Sequence, residues 1–152
     1  MRTHLTLDDS DAQIAIAAIH GELVRRAKRA VIAVADAHGE LLGLLRMSGA
    51  ALSSIGVATN KAFTAARLRR PSKTIGRNSR DPAKGFDISY YGDPRYVGWG
   101  GGLPVIVDEV VVGAIGVSGL VEDEDEELAA LGIAAIMAAR QTGGGDPAKP
   151  AA

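Results

Sequence analysis

The sequence predicts an α+β fold, a central antiparallel sheet with helices packed on it. Three observations carry this. Two short apolar segments flank a tight turn at residues 30–47 and again at 103–119, and each set has the pattern of a β-hairpin. Each hairpin is followed by a single helical stretch, so the strand–helix–strand alternation of a dinucleotide-binding fold is missing. A chain of 152 residues fits one domain and can bury a real core. The predicted order is α-β-β-α-long loop-β-β-α.

The first helix opens at "LTLDDSDAQIAIAAIHGELVRR", where Thr6 or Asp8 can cap and Asp8, Asp9 and Asp11 suit the positive end of the helix dipole. Ile16, Ile19, His20 and Leu23 fall at helical spacing, which reads His20 as a hydrogen-bonded core histidine. "AVIAVAD" at 30–36 is a strand apolar on both faces, "AHG" a turn, and "ELLGLLRM" its partner strand. Residues 52–68 form the second helix, ended by Pro71. From Arg70 to Gly102 no period is sustained, and a loop of that length serves a lid, a binding surface or a partner. "LPVIVD" and "VVVGAIGVSG" meet at a tight turn on Asp108–Glu109. "EDEDEELAALGIAAIMAAR" closes the fold, acidic at its start and basic at its end. Residues 1–141 are read as one domain and 142–152 as a disordered tail.

Composition narrows the function classes. Apolar residues make up 47% and the net charge is −1, so no overall field draws nucleic acid or an anionic membrane. Cysteine is absent, which excludes disulfides, thiol catalysis and cysteine-ligated zinc. Three acids precede the first apolar stretch, and no apolar run approaches the ~20 residues of a membrane span. A soluble cytoplasmic protein without nucleic-acid or membrane partners is expected. His4, His20 and His38 show no metal-ligand spacing, so no metal site is assigned. A lone histidine, lysine, tyrosine or threonine can still ligate heme iron, which leaves heme open.

Lys61 is the main candidate site residue. Val57, Lys61, Thr64 and Leu68 share one helical stripe, beside a stripe of Ile55, Ala58, Ala62 and Ala65 that should face the sheet. An ammonium at the edge of a core face either holds an acid or lays its stem on the core with its head in water. Asp36 is a turn residue in this pattern, and Arg46 either pairs with it or clamps an anion. Gly101 and Gly102 either turn amides toward an anion or lead into a tightly packed strand. Ser118 lacks a histidine base at a telling spacing and is no nucleophile. Tyr90, Tyr91, Tyr96 and Trp99 suit stacking on a flat ligand or burial at a subunit contact.

"VIAVADAHGELLGLLRMSGA", "SIGVATNKAFTAARLRRPS", "GGLPVIVDEVVVGAIGVSG" and "DEELA" occur in an order that resembles the GlcG/HbpS-like heme-binding-protein family, which also includes the C-terminal domain of PduO-type proteins. The resemblance spans roughly residues 5–140. It implies a profilin- or PAS-like α/β sandwich, homo-oligomers of even subunit number, and a small-molecule ligand that is heme in some members. It carries Asp36, Arg46, Met47, Lys61, Thr64, Gly101, Gly102, Pro104 and Asp125 onto family motifs. His38 and Ser48 depart from those motifs, and so does "FDISYYGDPRYVGWGG".

Two functions follow from the residues and the resemblance. One is a binding protein for heme or a small organic acid in a pocket lined by Lys61, with Arg46, Thr64, Tyr96, Trp99, Gly101 and Gly102 contributing. The other is a cofactor-independent isomerase, tautomerase or lyase acting on a small keto or hydroxy acid. There Lys61 and Arg46 hold the acid while Asp125 or Glu126 moves the proton. Whether the chain is an enzyme stays open at this point.

Overall fold

A computed structural model describes Met1 and residues 3–142. The elements are helix α1 (Asp9–Arg25), strands β1 (Val31–Asp36) and β2 (Leu41–Arg46), helices α2 (Ser53–Leu68) and α3 (Ser72–Ser79), a 3₁₀ turn (Ile88–Tyr91), strands β3 (Gly102–Val107) and β4 (Val110–Ser118), and helix α4 (Glu122–Thr142). All strand pairs are antiparallel, in the order β2-β1-β4-β3. The predicted α+β sheet with packed helices is borne out.

Local chemistry accounts for the boundaries. Asp8 caps α1 reciprocally with Asp11: its carboxylate accepts from the Asp11 amide at 3.0 Å, and Asp11 accepts from the Asp8 amide at 3.2 Å. Thr6 instead ties the segment before the helix to the first hairpin, accepting from the Ala37 amide at 3.0 Å. Asp36 is the turn residue it resembled, accepting from the amides of His38 at 2.8 Å and Glu40 at 3.0 Å. Asp108 and Glu109 both adopt positive φ, 48° and 65°, which matches the twist of a two-residue hairpin turn.

Helices cover both faces of the sheet. α1 and α4 pack on one face through Ile19, Leu23, Leu128 and Ile136, against Ile32, Val34, Ile115 and Val117. α2 lies on the other face, where β1 turns Val31, Ala33 and Ala35 toward it. That face is built from small residues. A Cβ at Gly116 would overlap the Ala58 carbonyl of α2, so helix and strand touch main chain to main chain.

Three expectations need correction. The stretch after Arg70 is not wholly irregular, since Ser72–Ser79 form α3. With Ile75 its only large buried apolar residue, this two-turn helix shows no period to read. His20 is exposed, because the buried stripe of α1 runs through Ala12, Ala15, Ile19 and Leu23. α4 continues through Thr142, whose hydroxyl donates to the Ala139 carbonyl at 3.0 Å. The remainder of the expected tail, 143–152, lies outside the described residues.

Candidate functional site

The close seat of α2 on β4 decides where Lys61 goes. Its side chain leaves α2 beside the C-terminal end of β4 and meets the first turn of α4. There Nζ donates to the Val117 carbonyl at 2.8 Å and to Asp125 Oδ2 at 3.0 Å. The pair is enclosed, with side-chain exposures of 3% for Lys61 and 2% for Asp125. The other carboxylate oxygen accepts from the Leu120 amide at 3.1 Å. Burial pushes the Asp125 carboxyl above the usual carboxylate range, against the downward pull of the Lys61 ammonium and the backbone at Leu120 and Gly119.

Gly101 and Gly102 close one side by absence of side chains. Gly101 has φ +117°, and a Cβ there would lie 2.9 Å from Lys61 Nζ and 2.8 Å from Asp125 Cβ. The Gly102 amide donates to Ser72 Oγ at 3.0 Å, so it is not free to bind an anion. That hydroxyl in turn donates to the Trp99 carbonyl at 2.6 Å. Gly76 of α3 presses on Gly98 so closely that a Cβ at residue 76 would overlap the Gly98 carbonyl. The backbone of Trp99 is thereby pinned from two sides while the residue as a whole stays 56% exposed.

Above the ion pair opens a cleft of about 560 Å³, lined by Lys61, Asp125, Ser53, Ser54, Ser118, Val57, Trp99 and residues 119–122. Ser54 and Ser118, each only 7% exposed, bring hydroxyls to this lining. The N-terminus of α2 also faces this space, and its cap residue Leu52 supplies no side-chain cap. Hydroxyls, an ammonium and the positive end of α2 meet at one place, the kind of donor set that receives an oxyanion, with the carboxylates of Asp125 and Glu122 on the same lining.

Several expected site residues lie elsewhere. Thr64 is buried but fastens the loop: Val97 donates its amide to Thr64 Oγ1 at 2.9 Å, and the hydroxyl reaches the Arg95 carbonyl at 3.3 Å. Tyr96 packs between Phe63 and Tyr91, at ring-centroid distances of 5.0 and 4.6 Å. Arg46 sits at the end of the edge strand β2, and β1 separates it from β4 and the Lys61 cleft. It lines a second cleft of about 530 Å³ with His20, Val24, Lys28, Arg29 and Met47. It does not pair with Asp36, which lies at the opposite end of the hairpin. Glu126 is absent from the lining of the Lys61 cleft, and its Oε2 is buried without a partner. Sequence reasoning missed Ser53, Ser54 and the supporting Ser72. Serines at a helix start read as caps, and α3 had left no visible period.

The family model described as "Haem degrading protein HbpS-like" matches residues 7–134. This chain belongs to the HbpS-like family. Protein GlcG of Escherichia coli K12 is 34% identical over 118 residues, covering 78% of this chain and 85% of GlcG. A 15.0 kDa protein of the dhaT-dhaS intergenic region of Citrobacter freundii is 38% identical over 84 residues, which span 55% of this chain and only 59% of that relative. Among solved structures, Klebsiella pneumoniae ORFY superposes with a TM-score of 0.84 at 30% identity, covering 91% of this chain and 95% of ORFY. PduOC, solved as a heme complex, gives 0.79 at 25% identity, with 86% and 95% covered. Streptomyces reticuli HbpS, as a double mutant, gives 0.77 at 29% identity, with 88% and 89% covered. The resemblance read from four sequence blocks is borne out.

Membership in the HbpS-like family raises the question of heme. The Lys61 cleft does not fit it: an ammonium that donates to Asp125 and Val117 has no lone pair to give iron, and among the described residues no imidazole or thioether lines the space. The second cleft fits better, since His20 and Met47 are iron-ligand types and Arg29 and Arg46 suit carboxylate side chains. Among the described residues no group of three or more His, Asp or Glu is arranged to hold a bare metal ion. No described helix is long and apolar enough to cross a membrane.

Proposed function

We propose that this chain binds a small organic acid, its carboxylate seated at Lys61 in the cleft between α2 and the start of α4. The observation that carries this is the Lys61–Asp125 pair on the cleft floor rather than in the closed core. An ammonium has three donors. Two are spent on Val117 and Asp125, and the third is left for the cleft. Asp125 fixes the cation in place, so a ligand meets a donor whose geometry is already set. Ser54 and Ser118 add hydroxyls, and the start of α2 adds positive dipole.

Calorimetric titration with keto, hydroxy and unsubstituted carboxylates tests the proposal. Binding of at least one class is expected, and Lys61→Met should abolish it. Equal binding to the Lys61→Met variant would remove the basis of the assignment. If the site is also catalytic, as an isomerase, tautomerase or lyase on such acids, Asp125 is the group that moves the proton, since Glu126 lies outside the cleft.

Heme has a different address in the same proposal, the cleft of His20 and Met47. The heme complex of PduOC supports heme as a ligand class, and the two ligand-type side chains in one cleft support this location. Hemin titration should give a Soret shift that His20→Ala loses and Lys61→Met keeps. The reverse pattern would move heme to Lys61.

A further inference from the structure

The Lys61 cleft is far larger than its polar floor needs. A carboxylate of two or three carbons would touch Lys61 and the serines and leave most of the roughly 560 Å³ to water. Most of the rest of the lining is apolar, with Glu122 its one further charged group. Val57, Leu120, Val121 and the indole of Trp99 supply that apolar surface. Val121 and Trp99 are 67% and 56% exposed, large apolar surfaces left facing solvent at the mouth.

Trp99 is more than an exposed ring on a loose loop. Ser72 holds its carbonyl, and the Gly76–Gly98 contact locks the residue just before it. The platform costs little further ordering when something lies against it, which is the condition for an aromatic wall that binds. A backbone held this firmly under a ring left in water has no evident use in the fold itself.

We infer that the acid taken by this cleft is an amphipathic aryl acid, its carboxylate on Lys61 and its flat apolar body stacked on Trp99. The inference rests on the acid-binding proposal above and adds the class of ligand. Stacking and apolar burial favour such a molecule over a short acid of equal charge by about tenfold or more.

Three matched probes test it by calorimetry: phenylacetate, acetate and the neutral phenylacetamide. Phenylacetate is expected to bind at least about tenfold tighter than either of the others. Trp99→Ala should erase the margin over acetate, and Trp99→Phe should restore most of it. The ring is exposed, so neither variant threatens the core. Trp99 is the only tryptophan in the chain, so quenching of intrinsic fluorescence by phenylacetate in the parent protein reports contact at this wall directly. Equal affinity for acetate and phenylacetate would overturn the aryl assignment and leave acid binding intact. Equal affinity for phenylacetate and phenylacetamide would overturn the role of Lys61 itself. Absence of binding by all three overturns both.

Discussion

Replacing Lys61 by methionine keeps the stem that packs under α2 and removes only the charge. Asp125 is then left with the Leu120 amide and the Gly119 backbone, and its Oδ2 loses its 3.0 Å partner in a site 2% exposed. Breaking a buried pair from one side costs about 3–5 kcal/mol, and the surviving amide contacts place this case at the lower end, about 3 kcal/mol. That is a large share of the ~5–15 kcal/mol that holds a domain together, yet the variant should remain folded. The pH dependence gives the cause away. Burial already raises the Asp125 carboxyl, and without Lys61 two of the causes that lower it vanish. A carboxyl raised on folding binds more protons in the native state than in the unfolded one. Its effect on stability is therefore favourable at low pH and is lost as pH climbs from the unfolded value, ~3.9, through the folded one. The deficit of the variant relative to the parent should shrink on going from about pH 7 to about pH 5, by at most ~1.4 kcal/mol per unit. Urea unfolding followed by circular dichroism at the two pH values measures it. A deficit under ~1 kcal/mol at neutral pH, or one that grows on acidification, would refute the account of a buried, mutually dependent pair.

Other consequences can be checked separately. Gly101→Ala should destabilise the fold by about 1–3 kcal/mol in thermal or urea unfolding, and should weaken acid binding, because its φ is +117° and the new methyl meets Lys61 Nζ and Asp125 Cβ. Thr64→Val removes the acceptor for the Val97 amide and should cost about 1–3 kcal/mol with little effect on acid affinity, read by urea unfolding beside calorimetry. Glu22 is held down to about 2 by Arg25 and Arg26, so its NMR-detected titration should fall well below that of a free glutamate. Its support for α1 is present above the ordinary glutamate pKa and is lost as pH falls toward 2. If the site moves protons, exchange of the α-hydrogens of a bound keto acid with deuterium should stop in Asp125→Asn and continue in Glu126→Gln.

Much of this molecule was legible because its signals are local. Asp8 and Asp11 announce the start of α1, a small-residue stripe marks the sheet-facing side of α2, and the charge gradient of α4 follows the helix dipole. Lys61 stood out for the same reason, a cation on the border of that stripe. What the sequence could not reveal is which side chains share a space. Arg46 and Lys61 look like two halves of one anion clamp, yet β1 lies between β2 and β4 and keeps them apart. Thr64 lies one turn from Lys61 in the helix, but it faces the loop at 95–97 instead. His20 was misplaced by a single position of rotation, because Ala12 and Ala15 bury a face that hydropathy weighs lightly against isoleucine. The polar helix α3 escaped notice, and with it the brace under Trp99.

The contact of Gly116 with the Ala58 carbonyl sets how far α2 stands above the sheet. Main-chain atoms fix that height, so repacking the distant core cannot tune it. A single methyl at residue 116 would tilt the helix outward and carry the Lys61 amine away from the Val117 carbonyl, disarming the cleft without altering any group inside it. Efforts to retarget the protein should therefore leave residues 58 and 116 alone and vary the rim.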